Sequence, residues 1–98
     1  MARFDVNCMK DGEVVLDCQA DIHRHLNTRF IIPLVDYADD YPLKVGLNPI
    51  FELDGKRLVL VTEFASTVFL RDMRKRIGTL DLHYDEIIRA LDFLTGGY

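Results

Sequence analysis

A chain of 98 residues with 49% hydrophobic and 29% charged residues is one folded domain, 1–98, and not a disordered segment. Its formal charge of −4 excludes non-specific affinity for phosphate backbones or anionic membranes. A domain of this size buries only roughly 60–65% of its unfolded surface, so a homodimer partner is expected to supply further stability. No apolar run approaches the ~20 residues of a membrane span, and Met1-Ala2-Arg3-Phe4-Asp5 has no secretory core, which predicts a cytoplasmic protein.

Phe4, Val6 and Cys8 alternate with Asp5, Asn7 and Met9, the period of a strand. A loop of three residues, Asp11 to Glu13 with Gly12 at positive φ, sets Cys8 opposite Leu16, Val6 opposite Cys18 and Phe4 opposite Ala20. Every apolar residue then shares one face. The two cysteines come out diagonal, too far apart for a disulfide, and are expected to be free core thiols. Leu16, Cys18, Ala20 and Ile22 continue the alternation, with Asp17, Gln19 and Asp21 on the polar face. His23-Arg24-His25-Leu26-Asn27-Thr28 reads as an exposed loop. Arg29 to Leu34 is a short apolar run ended by Pro33-Leu34, a buried strand whose far end lies at a sheet edge or leaves the sheet.

Residues 35–47 lack periodicity and read as a surface loop. Asp54-Gly55 between Ile50-Phe51-Glu52-Leu53 and Lys56 to Thr62 is the signal of a type I′ hairpin, with Glu52 across from Arg57 and Phe51 across from Leu58. Leu58-Val59-Leu60-Val61, apolar at every position, is expected to be the central strand. Thr67 to Leu70 is one more short strand, and Arg71 to Arg76 a solvated strand or turn. The chain closes on a helix. Asp81 is its expected N-cap, Asp85 and Glu86 place negative charge in its first turn, and Tyr84, Ile87, Ile88, Leu91 and Leu94 form its core face. Phe93 falls on the opposite, polar face, a candidate partner contact. Thr95-Gly96-Gly97-Tyr98 ends the helix as a flexible tail. The pattern is mainly β with a C-terminal helix, an α+β fold.

Catalytic motifs are few. There is no glycine-rich phosphate loop, no Gly-x-Ser-x-Gly elbow and no zinc signature, so neither an enzyme nor a cofactor is expected. Asp21-x-His23-x-His25 has metal-ligand residue types, but Arg24, Leu26 and Asn27 make it a solvated loop and not a metal site. His83 stands alone before the helix and reads as structural.

Leu16-Asp17-Cys18-Gln19-Ala20-Asp21-Ile22, Arg29 to Leu34, Pro49-Ile50-Phe51, Ala65-Ser66 and Glu86-Ile87-Ile88-Arg89-Ala90-Leu91 resemble, in order and spacing, the CcdB family of gyrase-poisoning toxins from toxin–antitoxin pairs. The resemblance runs essentially end to end. It implies an SH3-like barrel of the CcdB, MazF and Kid type, assembled as a homodimer. Its implied partners are the DNA gyrase A subunit, trapped on cleaved DNA, and a CcdA-like antitoxin whose disordered tail folds onto the toxin. The implied gyrase-binding residues are Asp92, Phe93, Thr95, Gly96, Gly97 and Tyr98, and the implied antitoxin-binding residues are Phe4, Ile22 and His23. The family tail Trp-Gly-Ile corresponds to Gly96-Gly97-Tyr98, where only Gly97 matches; Tyr98 offers the displaced ring. Two alternatives share the fold: a ribonuclease toxin of the MazF or Kid type, with His23-Arg24-His25 and Arg29 as candidates, and a degenerate relative that only binds the antitoxin.

Overall fold

The computed structural model describes residues 2–96. Seven antiparallel strands form one curled sheet: β1 (Asp5–Met9), β2 (Val14–Asp17), β3 (Thr28–Asp36), β4 (Ile50–Leu53), β5 (Lys56–Leu60), β6 (Ser66–Phe69) and β7 (Met73–Thr79). A single helix of the described residues, α1 (Tyr84–Gly96), closes the chain. The strand order is β4-β5-β3-β2-β1-β7, with β6 paired to β3 beside this path. The result is a half-barrel capped by a helix, the α+β architecture expected from the sequence.

The hub is β3, not the Leu58–Val61 segment. That segment is buried at every position, as its composition requires, but β5 has two neighbours while β3 has three. Over nine residues β3 pairs β2 along one edge; along the other it pairs β6 through Thr28–Ile31 and β5 through Leu34–Asp36. Pro33 therefore lies inside the strand, contrary to the expected strand end. Its carbonyl accepts from the Val61 N–H on the β5 side, and its missing N–H faces the interval where β6 gives way to β5. A proline removes a donor, and this position needs none from it.

The first hairpin corrects the expected register. Val6 pairs with Leu16 and Cys8 with Val14, two residues from the expected pairing. The loop is indeed three residues long, but it is Lys10 to Gly12. The Gly12 N–H donates to the Met9 carbonyl at 2.9 Å, and Gly12, at φ 91°, takes the left-handed position that ends such loops. A shift of two preserves the face of every side chain, so Phe4, Val6 and Leu16 still enter the core together. The second hairpin matches its expectation: Glu52 pairs with Arg57 and Phe51 with Leu58, around Asp54 and Gly55, both at positive φ.

β2 ends at Asp17, short of the expected Ile22; Asp21–His23 is a 3-10 turn that leaves Ile22 78% exposed. The basic run lies partly in β7, which pairs with β1 from Asp5↔Thr79 to Met9↔Met73.

Two apolar clusters occupy opposite sides of the sheet. On the helix side, Val6, Leu16, Ile32, Leu60, Leu80 and Ile87 are fully buried. On the other, Met9, Val15 and Ile31 pack with Val68 and Met73 where β6 and β7 curl inward. Asp17, expected on a solvated face, is buried here. Its Oδ2 accepts from Arg29 Nε at 2.8 Å and lies 2.7 Å from Nη2, and its Oδ1 accepts from the Gln19 N–H. Burial pushes the Asp17 carboxyl above its ordinary value of 3.8 even with Arg29 beside it.

The helix buries Ile87 and Ala90 and packs Ile88 and Leu91 on the core, while Tyr84 and Leu94, expected in its core face, are 48% and 39% exposed. Asp81 is not an N-cap. It opens a 3-10 turn, Asp81–His83, with no side-chain cap bond; its own N–H donates to Thr79 Oγ1.

Candidate functional site

The end of α1 is positioned by the loop beneath it. Loop 44–48 is tied to the 3-10 turn Thr62–Phe64: Lys44 Nζ lies 3.0 Å from Glu63 Oε2, and Asn48 Nδ2 donates to Glu63 Oε1 at 2.8 Å. Asn48 also accepts the Lys44 N–H and donates to the Leu60 carbonyl, which fixes the loop to the core strand β5. Burial acts to raise the Glu63 carboxyl, but its own backbone N–H, Lys44 and Asn48 together hold it below its ordinary 4.5.

This fastening brings Gly46 under Phe93. A Cβ at Gly46 would lie 2.9 Å from the Phe93 ring, and the backbone there is at φ 86°, so glycine meets both the close approach and the left-handed conformation. Phe93 is thus not free on a polar face. Its ring rests on the loop and remains 37% exposed. A cleft of about 290 Å³ opens beside it, lined by Leu43, Val45, Pro49, Glu86, Arg89 and Ala90. Val45 is 95% exposed. Leu43, Val45, Phe93 and Leu94 together give this end an exposed apolar character flanked by Lys44, Glu86 and Arg89.

Of the expected gyrase-binding residues, Asp92, Phe93, Thr95 and Gly96 lie in the last turns of α1 and are exposed. Thr95 Oγ1 donates back to the Leu91 carbonyl at 2.9 Å. The helix continues through Gly96, where a tail was expected to begin; Gly97 and Tyr98 lie outside the described residues.

The expected antitoxin-binding residues divide. Ile22 and His23 sit exposed on the 3-10 turn that follows β2. Phe4, expected on the buried face of β1, is 1% exposed and held at φ 68°, so it offers a partner no free surface. Its N–H donates to the Asp17 carbonyl and its carbonyl accepts from Leu80, while Arg3 covers its ring and Tyr84 meets it edge-on at 5.4 Å. A strained backbone at a bulky residue persists where surrounding bonds over-determine it, and no local sequence signal announces it.

The ribonuclease constellation does not assemble. His23, Arg24 and His25 are exposed, but Arg29 is 1% exposed and engaged with Asp17, so its guanidinium cannot join them on a substrate. His83 stacks against Phe51 at 4.9 Å and lies 3.4 Å from Glu86. Among the described residues no group of metal-ligating side chains converges, and no helix is long and apolar enough to cross a membrane.

Sequence reasoning missed the Asp17–Arg29 pair and the Gly46–Phe93 contact. It also missed the second exposed apolar group, Leu26, Phe30, Phe69 and Leu70, where the β3–β6 pair meets its flanking turns. The only signal for the first was an arginine opening an otherwise apolar strand.

No curated protein matches the chain. A family model does: the one described as CcdB protein matches residues 3–97, which takes in every strand, the buried pair and the helix end. The chain belongs to the CcdB family.

Proposed function

We propose that this protein is the toxin of a type II toxin–antitoxin pair: a cytoplasmic homodimer that binds the DNA gyrase A subunit, traps the gyrase–DNA cleavage complex, and is neutralised by a CcdA-like antitoxin. It is a binding inhibitor, not an enzyme. The family match over residues 3–97 carries the proposal, and the exposed end of α1 supports the placement of the gyrase contact. There Asp92, Phe93, Thr95 and Gly96 lead to Gly97 and Tyr98. Tyr98 replaces the missing tail tryptophan as the aromatic contact, an aromatic ring giving stacking area at low entropic cost. Ile22 and His23 stand on a separate turn and are assigned to the antitoxin. The dimer buries apolar surface that one chain leaves open, for which the exposed group Leu26–Phe30–Phe69–Leu70, away from the helix end, is available.

The test is deletion of Thr95 to Tyr98. Expression of the full chain arrests bacterial growth and is rescued by a small antitoxin; the truncated chain folds, retains antitoxin binding, and neither arrests growth nor binds gyrase. Growth arrest by the truncated chain overturns the assignment of this end.

A further inference from the structure

β7 is the terminal strand of the sheet order and, among the described residues, pairs with β1 alone. Its other edge presents unpaired backbone donors and acceptors, a template for one more strand. Four of the twelve lysines and arginines fall between residues 71 and 76 in a chain of net charge −4. Arg76 lies 3.1 Å from Asp5, while Arg74 reaches only the Cys8 sulfur at 3.4 Å, and among the described residues neither Arg74 nor Lys75 has a carboxylate partner. Just beyond the run, a cleft opens between β7 and the β4–β5 hairpin, its apolar part formed by Val14, Leu53, Leu58 and Ile77 and its rim by Asp36, Asp54 and Lys56, with Leu53 resting on Gly78.

These features select among occupants. A second copy pairing through the same edge would place cation against cation. A nucleic acid needs a convergent basic surface that neutralises many phosphates, and with Arg76 engaged by Asp5 the strand β7 offers two cations, Arg74 and Lys75, without a carboxylate partner among the described residues. An extended peptide carrying carboxylates satisfies both the edge and the charge, and the cleft beside Ile77 accepts one apolar side chain from it. We propose that β7 takes an extended, acidic segment of a partner protein as an additional strand, its carboxylates against Arg74 and Lys75 and an apolar side chain in the cleft by Ile77. The inference rests on this edge alone and does not depend on gyrase binding.

A fluorescein-labelled peptide of alternating glutamate and threonine ending in leucine, titrated into the full chain, tests it. Saturable binding is expected, weakening with salt and falling about tenfold or more in the Arg74→Glu, Lys75→Glu double variant. The β7 amides that point away from β1 gain hydrogen-exchange protection. If the charge-reversed chain does not fold, Arg74→Ala with Lys75→Ala makes the same comparison. Absence of binding overturns the proposal, as does equal binding by a peptide with proline at alternate positions, which cannot pair as a strand. Tighter binding of a single-stranded oligonucleotide of the same charge overturns it in favour of a phosphate partner.

Discussion

The two sides of the sheet are stabilised by different means. The helix side is filled by interlocking aliphatic and aromatic side chains such as Leu16, Ile32, Leu60 and Ile87, where each contact is small and replaceable. The other side has a smaller apolar cluster and encloses a fully buried ion pair, Asp17 and Arg29. Burial raises the Asp17 carboxyl despite its partner, so desolvation outweighs the attraction. A buried pair of this kind adds little net stability while making each partner indispensable to the other. One side is therefore tolerant of single changes and the other is not.

Arg29→Ala is the sharpest way to break this contrast. It leaves a buried carboxylate unpaired and is expected to cost about 3–5 kcal/mol, a large share of the total stability of a domain this small. Ile32→Val on the helix side costs about 0.5–1.5 kcal/mol. The double variant Asp17→Leu, Arg29→Met is expected to melt near or above the parent temperature; a loss as large as that of Arg29→Ala alone would show that the pair itself, and not its incompleteness, holds this side.

Gly46→Ala comes next, at about 1–3 kcal/mol. It forces an L side chain into a left-handed backbone and presses a methyl on Phe93. Phe93→Leu in the same chain should recover the steric part only, and full recovery in thermal melts would discount the backbone part.

Acid gives a smaller effect, with opposite signs at the two places. Glu63 lies below its ordinary 4.5 in the folded chain, so its contribution is present above that value and is lost as pH falls through the lowered folded one. The hydrogen-exchange protection factors of loop 44–48 should then fall in acid. Asp17, being raised, contributes most below 3.8 and less as pH rises through its folded value. Glu63→Gln should remove the acid sensitivity of the loop and leave the opposite trend of β2 and β3, whose protection weakens as pH rises.

The smallest effect concerns the thiols. Both cysteines are free, and burial pushes Cys18 up to about 12. Iodoacetamide at pH 8 should modify the half-buried Cys8 and spare Cys18, and reducing agent should leave the melting temperature unchanged. A large drop on reduction would mean a disulfide forms.

Sequence legibility followed the range of the interactions involved. Asp54-Gly55 leaves one arrangement of its hairpin, and the register was readable. Gly12 can be the middle or the last residue of a three-residue loop with no change of faces, so the pattern of burial could not choose between them. The helical wheel shows on which side Phe93 lies, but not that Gly46 crosses there. Arg71 to Arg76 resembles solvated surface because the partner of β7 is a strand at the other end of the chain. At the candidate site, the exposed loop opening at His23 was legible in its polar flanks, but the early end of β2 that exposes Ile22 was not. The burial of the Arg29 guanidinium was not either, because it depends on Asp17 of the neighbouring strand.

The pairing of Asp5 with Thr79 also sets an order of assembly. β1 can meet β2 as soon as their shared loop has been synthesised, but β7 arrives only after most of the chain, and its docking closes a loop that includes nearly every other element. Closing so long a loop is entropically expensive and kinetically slow relative to the hairpins. The nascent domain therefore carries β1 with one open edge until its last third has left the ribosome, and the strand made first is among the last to be fully paired.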